Sequence, residues 1–304
     1  YKGQFRAHTR DEFKAFLAFA RHYWLLSSLI LAGLIVLFVQ TSPFPPKTVK
    51  IATGQPSSSA QILGEWYRDF FATNRITLEL VREAGGDGFT QRCDVRDYSQ
   101  LTALAQACEE KLGGIDVIVN NAGVASGGFF AELSLEDWDW QIAINLMGVV
   151  KGCKAFLPLL LRSQGKIVNI ASMAALMQGP AMSNYNVAKA GVVALSESLL
   201  IELQAQQVGV HVVCPSFFQT NLLDSFRGPT PAMKQAVGKL LESSPISATE
   251  IAEYIYTAIE QGEFMILPHE QGRMAWALKQ KNPQLLYSEM ASMAGKMRSK
   301  TTPV

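Results

Sequence analysis

Tyr185 and Lys189 stand four residues apart in SNYNVAKAG. On a helix that spacing puts both side chains on one face. A phenol ionises near pH 10, too weak an acid for efficient work at neutral pH. A neighbouring ammonium favours the phenolate and lowers that value, which predicts Tyr185 as an acid/base group. Ser172 closes the run KIVNIAS, where its hydroxyl can hydrogen-bond a substrate carbonyl. Asn145, in AINLMG, is an amide and a poor helix former at a helical position. Facing inward, it is expected to hold a water that relays protons to Lys189. Each residue alone has a bland alternative, since a Tyr-x-x-x-Lys pair also arises on a solvated helix face. The joint order is more specific. Ser172 precedes Tyr185 by 13 residues at a strand end, and Asn120-Asn121-Ala122-Gly123 closes the strand before the Asn145 helix.

The elements that must position these groups alternate. Short β-rich runs are predicted at 49–52, 76–81, 89–93, 117–120, 166–170, 210–214 and 264–267. Several are almost wholly apolar, as expected of strands buried on both faces. Helices are predicted over 99–112, from Ser134 to about Arg162 with Asp137 completing an approximate capping box, over 185–207 and over 250–261. This order predicts an α/β fold, a doubly wound parallel sheet, with its ligand at the carboxyl ends of the strands.

From about Val81 to Val304 the chain resembles the short-chain dehydrogenase/reductases. The resemblance rests on CDV with Asp94, NNAG at Asn120–Gly123, Asn145, Ser172, Tyr185, Lys189 and CPSFFQT. It implies a Rossmann-like domain, a nicotinamide cofactor (NAD or NADP) and a small-molecule carbonyl/alcohol substrate. It implies Tyr185 as proton donor, Ser172 as the group that polarises the carbonyl, and Asn145 as part of a proton relay. Lys189 would bind the nicotinamide ribose and lower the tyrosine pKa. The implied cofactor-binding set is Gly54, Asp94, Val95, Asn121, Ala122, Gly123, Tyr185, Lys189, Pro215 and Thr220. Ser216 stands where the family usually has a glycine after the proline. Assembly into a homo-oligomer through the helices of Asn145 and Tyr185 is implied as well. The loop 217–230, with Phe217, Phe218, Leu222, Leu223 and Phe226, suggests an apolar substrate.

The front end departs from that pattern. A dinucleotide site needs a glycine-rich turn after the first strand, so that the backbone can approach the pyrophosphate. Here Thr53-Gly54 is followed by Gln55-Pro56-Ser57-Ser58-Ser59-Ala60, and the later glycines are missing. The interval from Gly54 to Asp94 is also short for the family. Residues 23–80 resemble instead the anchored N-terminus of a TAXI-type solute-binding protein of tripartite transporters. A junction of two unrelated sequences is therefore expected near Leu80–Gly85. The competing function on this reading is a membrane-anchored, non-catalytic binding module, or an inactive chimera with impaired cofactor binding.

No charged residue occurs from Tyr23 to Pro46. Seventeen of these residues, YWLLSSLILAGLIVLFV, span roughly 26 Å as a helix, just enough to cross a bilayer core. The expected organisation is a basic segment 1–22, a transmembrane anchor 23–40, a Pro-rich linker 41–48 and a Rossmann-like domain 49–304, divergent over 49–80. The positive-inside rule places the N-terminus in the cytoplasm. An inner-membrane location follows, with a cytoplasmic protein as the alternative.

Composition narrows the functional classes. Lys+Arg 27 against Asp+Glu 26 gives a net charge of +1 and no argument for a nucleic-acid partner. Hydrophobic residues at 48% and charged residues at 17% exclude a disordered chain. Cys93, Cys108, Cys153 and Cys214 form no CxxC pair, which excludes a disulfide scaffold and a thiolate zinc site. His8, His22, His211 and His269 have no ligand spacing, so no metal is expected.

Overall fold

The computed structural model describes residues 48–52, 77–80, 91–218, 222 and 225–301. The expected anchor over 23–40, Gly54 with its serine-rich turn, and Thr220 lie outside these residues.

Among the described residues, six parallel strands form one sheet: β1 (Thr48–Ala52), β2 (Thr77–Leu80), β3 (Val117–Asn120), β4 (Lys166–Ile170), β5 (Gly209–Val213) and β6 (Met265–Ile266). Their order is β2-β1-β3-β4-β5-β6. The chain runs outward from β1 to β2, then returns to the other side of β1 with β3. The crevice between the carboxyl ends of β1 and β3 is thus the switch point of a doubly wound sheet, the place where such folds take ligands.

Helices cover both faces. They are α1 (Tyr98–Leu112), α2 (Leu135–Asn145), α3 (Met147–Ser163), the short α4 (Ala174–Met177), α5 (Ser183–Leu203), α6 (Pro231–Glu242), α7 (Ala248–Glu260), α8 (Glu270–Lys281) and α9 (Pro283–Thr301). The alternation of side chains along β4 shows why its sequence is apolar at successive positions. Ile167 joins Phe156, Leu160 and Val192 in the larger core, while Val168 joins Ile251, Ile255 and Ala258 on the opposite face. Local signals set the helix starts. Asp97 caps α1 by accepting the Ser99 N–H, and Ser134 and Ser247 cap α2 and α7 with Asp137 and Glu250 in reciprocal capping boxes.

Two expected elements differ. Residues 91–93 form no strand; the Asp94 N–H is taken at 2.9 Å by Gln100 Oε1 rather than by a neighbouring strand. The helix expected from 134 to 162 is two helices. Leu146 (φ −114°, ψ −60°) breaks it, and its side chain fills the space where a Cβ on Gly191 would sit, 2.9 Å away. Residues Leu135–Ser163 are long and apolar enough to cross a membrane, but half of that stretch is buried in the protein and helps form its core.

Beneath the site, Asn120 Nδ2 donates to Asn169 Oδ1 at 2.8 Å and to Cys153 Sγ at 3.3 Å. Gly152 of α3 faces this pair, and a methyl group there would overlap Asn120 Oδ1. Because Asn120 is held from its other end, it cannot swing aside freely. Gly152→Ala is expected to destabilise the domain by about 1–3 kcal/mol, read as a lowered urea midpoint with unchanged slope. A midpoint equal to wild type would show that Asn120 yields.

Candidate active site

The carboxyl ends of β3, β4 and β5 deliver three loops to one place. After β3 the chain turns through Asn121, Ala122 and Gly123 to Val124. Asn145, at the last turn of α2 and fully buried, grips Val124 from both sides. Its Nδ2 donates to Val124 O and its Oδ1 accepts the Val124 N–H, each at 2.8 Å. The amide thus holds the loop's backbone, and one Nδ2 hydrogen and one Oδ1 lone pair remain beyond these two bonds. Gly123 keeps the spot open: a Cβ there would lie 3.3 Å from Asn145 Oδ1 and 3.7 Å from Lys189 Nζ.

After β4, Ser172 Oγ accepts the Ala174 N–H at 3.1 Å, which starts α4, and it also hydrogen-bonds the Tyr185 hydroxyl. After β5, Pro215 O accepts the Met173 N–H at 2.9 Å and ties the two loops together. The Ser216 N–H donates to His269 Nδ1 at 3.2 Å, at the start of α8. Tyr185 stands in the first turn of α5 and Lys189 one turn on, as the spacing predicts. Lys189 is buried, and its Nζ donates to Ile170 O at 2.7 Å and lies 5.9 Å from the Tyr185 ring centre.

The electrostatics differ from the expectation. Burial pushes the Tyr185 phenol up to about 12, against a smaller downward pull from the Ser172 hydrogen bond. Burial also draws Lys189 down to about 8. The ammonium is spent on a backbone carbonyl, so it does not outweigh the desolvation of the phenol. The Cys214 thiol beside them is likewise pushed up to about 12 by burial.

Asp94 and Val95 sit apart from this cluster, before α1. Arg96 holds the Asp94 carboxylate through a 2.6 Å contact and keeps it below the usual carboxylate range. Val95 packs on α3, where a Cβ on Gly148 would come within 2.9 Å of its side chain. The structure thus brings together Asn145, Ser172, Tyr185, Lys189, Gly123 and Pro215, with Asp94 and Val95 apart from them in the irregular segment before α1. Motif reading missed Ser126, Gln141 and Asn184, all buried and polar, between Asn145 and Tyr185. Gln141 and Asn145 are four apart on α2, and that pairing of amides on one face was the available signal.

Residues 70–229 match the family model of the short chain dehydrogenases. The match begins at residue 70, inside the segment assigned to the second resemblance, so the family does not change at 80–85 as expected. Oxidoreductase UcpA of Salmonella typhimurium is 32% identical over 225 residues, 66% of this chain and 85% of that protein. A 3-oxoacyl-[acyl-carrier-protein] reductase of Synechocystis is 33% identical over 155 residues, 51% of this chain and 62% of that protein's length. Among solved structures, a short chain dehydrogenase/reductase from Burkholderia phymatum in complex with NAD is 29% identical. It covers 78% of this chain and 95% of its own, with a TM-score of 0.70. With the parallel doubly wound sheet and the cluster at its carboxyl edge, the chain belongs to the short chain dehydrogenase family.

Proposed function

We propose that the protein is an NAD- or NADP-dependent oxidoreductase that interconverts a carbonyl and an alcohol. The observation that carries this reading is the Tyr185 hydroxyl hydrogen-bonded to Ser172, with buried Lys189 one turn along the same helix. A carbonyl oxygen placed between the two hydroxyls would accept from both. At neutral pH the phenol is protonated, so Tyr185 holds the proton that a reduced carbonyl needs. Asn145 keeps the Gly123–Val124 backbone against this place. A nicotinamide cofactor would supply or take the hydride. The residues fit one: Gly123 carries no Cβ where one would lie 3.7 Å from both Lys189 Nζ and Asn121 O, so the loop backbone can approach a ligand closely there. Ser172 and Tyr185 would orient the substrate, and Lys189 the cofactor ribose. The apolar side chains Phe217 and Phe218 after β5 favour an apolar substrate.

Full-length protein titrated with NADH and NADPH is expected to enhance or shift their fluorescence at micromolar to millimolar cofactor. No change up to millimolar concentrations would remove the reading. Two further proposals accompany it. The uncharged run 23–40 anchors the protein to the inner membrane, which predicts its recovery in carbonate-washed membranes. Exposed Leu135 on α2 and Val187 and Ile201 on α5, at 83%, 50% and 76% exposure, support a homo-oligomer built on these helices. Light scattering at the mass of a single chain would refute that assembly.

A further inference from the structure

We infer that Ser126 and Asn184 are positioning residues, which join Asn145 to Tyr185 through a buried polar chain and fix the place of the tyrosine hydroxyl. The inference rests on the oxidoreductase reading of this site. The first N–H groups of a helix have no partner within it. In α5 the Tyr185 N–H is among them, and Asn184 Oδ1 accepts it at 2.9 Å. The same oxygen lies 3.0 Å from Ser126 Oγ, which lies 3.1 Å from Gln141 Oε1. Gln141 Nε2 donates at 3.2 Å to Val124 O, the carbonyl that Asn145 also holds. The chain thus runs Asn145, Val124, Gln141, Ser126, Asn184, Tyr185. Its side chains are all buried, with Ser126 3% exposed and Gln141, Asn145 and Asn184 at 0%. Water has little access to replace a lost link, so each missing hydroxyl or amide leaves a partner unpaired.

Ser126 is itself held in place from the far side. It pairs with Arg227 in a parallel bridge, in which the Arg227 N–H donates to Ala125 O at 3.1 Å and the Gly127 N–H donates to Arg227 O at 2.9 Å. The Arg227 guanidinium stacks 3.9 Å over Trp140, the neighbour of Gln141 on α2. The hydroxyl is therefore fixed by backbone on one side and by α2 on the other. It hands that position to the first turn of α5, where Tyr185 starts.

The test compares Ser126→Ala, Asn184→Ala and the double variant in the full-length protein, with ethyl acetoacetate and NADH or NADPH. Each single variant is expected to lose about 10- to 100-fold in kcat with cofactor affinity within about twofold. The double variant is expected to lose no more than the worse single one, because both break one chain. Ser126→Thr keeps the hydroxyl and is expected to restore most of the rate. Additive losses, or single variants within twofold of wild type, overturn the inference. A second measurement needs no turnover. In protein labelled with 3-fluorotyrosine, the Tyr185 fluorine resonance is identified by its loss in Tyr185→Phe. It is expected to move in Ser126→Ala, and a stationary resonance overturns the inference. If the resonance moves while wild type reduces no ketone, the positioning stands and the oxidoreductase reading fails.

Discussion

Tyr185→Phe is expected to lower kcat/KM by about 10²–10⁴-fold while leaving cofactor binding and the melting temperature close to wild type. The substitution removes one oxygen and keeps the ring, its packing and its place in α5. What disappears is the hydroxyl that hydrogen-bonds Ser172 and holds a proton up to about pH 12. In the direction of carbonyl reduction that proton must reach the substrate oxygen as hydride reaches its carbon. Its high pKa keeps the donor loaded across the neutral range, and reduction should fade only as alkaline pH strips it. The reverse reaction needs the phenolate, which burial disfavours, so alcohol oxidation is expected to rise with pH. Steady-state rates from pH 6 to 10 should show reduction level and oxidation rising, which checks the pair. Turnover of Tyr185→Phe within tenfold of wild type would refute the assignment of the proton.

How far the chain could be read in advance follows from which signals are local. The strands at 117–120 and 166–170 stand where the runs VIVN and KIVNI predict, because three or more β-forming apolar residues in each mark a short strand packed on both faces. The cap at Ser134 and its partner Asp137 are also local, three residues apart, and appear as expected. The break at Leu146 was not legible; its side chain lies against Gly191, a neighbour distant in sequence. Helix α9, predominantly exposed, carries too weak an apolar stripe to mark itself. The expected strand at 89–93 failed over 91–93, where Gln100 reaches back to the Asp94 N–H.

The site divides in the same way. Residue types and order located Ser172, Tyr185, Lys189 and Asn145, and the fold brings them to one sheet edge. Their electrostatics were not legible. Spacing alone makes Lys189 a neighbour of Tyr185, but it does not say that the ammonium is committed to Ile170 O. Nor does spacing say that burial dominates both groups. The Asn145 amide was found by its type and place, but its two bonds to Val124 were not legible. Chemistry-bearing residues were thus easier to find than their partners, because partners are backbone groups that any sequence supplies.

Lys189→Met is expected to abolish turnover, by about 10²-fold or more, without unfolding the protein. Methionine matches the length of the lysine stem and suits an apolar site. Two stability terms oppose each other. Loss of the Nζ bond leaves Ile170 O unpaired, at about 1–3 kcal/mol. Removal of a buried charge relieves a penalty measured by the fall of the lysine pKa from 10.5 to about 8, equivalent to about 3 kcal/mol. At pH 7 the variant should therefore unfold near the wild-type denaturant midpoint. The pH dependence separates the two proteins more sharply. Between pH 8 and 10.5 the unfolded wild-type chain keeps the Lys189 proton that the native state has released. Wild-type stability then gains up to about 1.4 kcal/mol per pH unit from this group, and the methionine variant lacks that gain. Tyr185 works oppositely above pH 10, since its native pKa lies above the unfolded value, so the comparison belongs at pH 7 to 9.5. Urea unfolding at half-unit steps should show the wild type gaining on the variant as pH rises. Parallel curves would mean that Lys189 titrates as an exposed lysine does, and its place as a desolvated partner of Tyr185 would be lost.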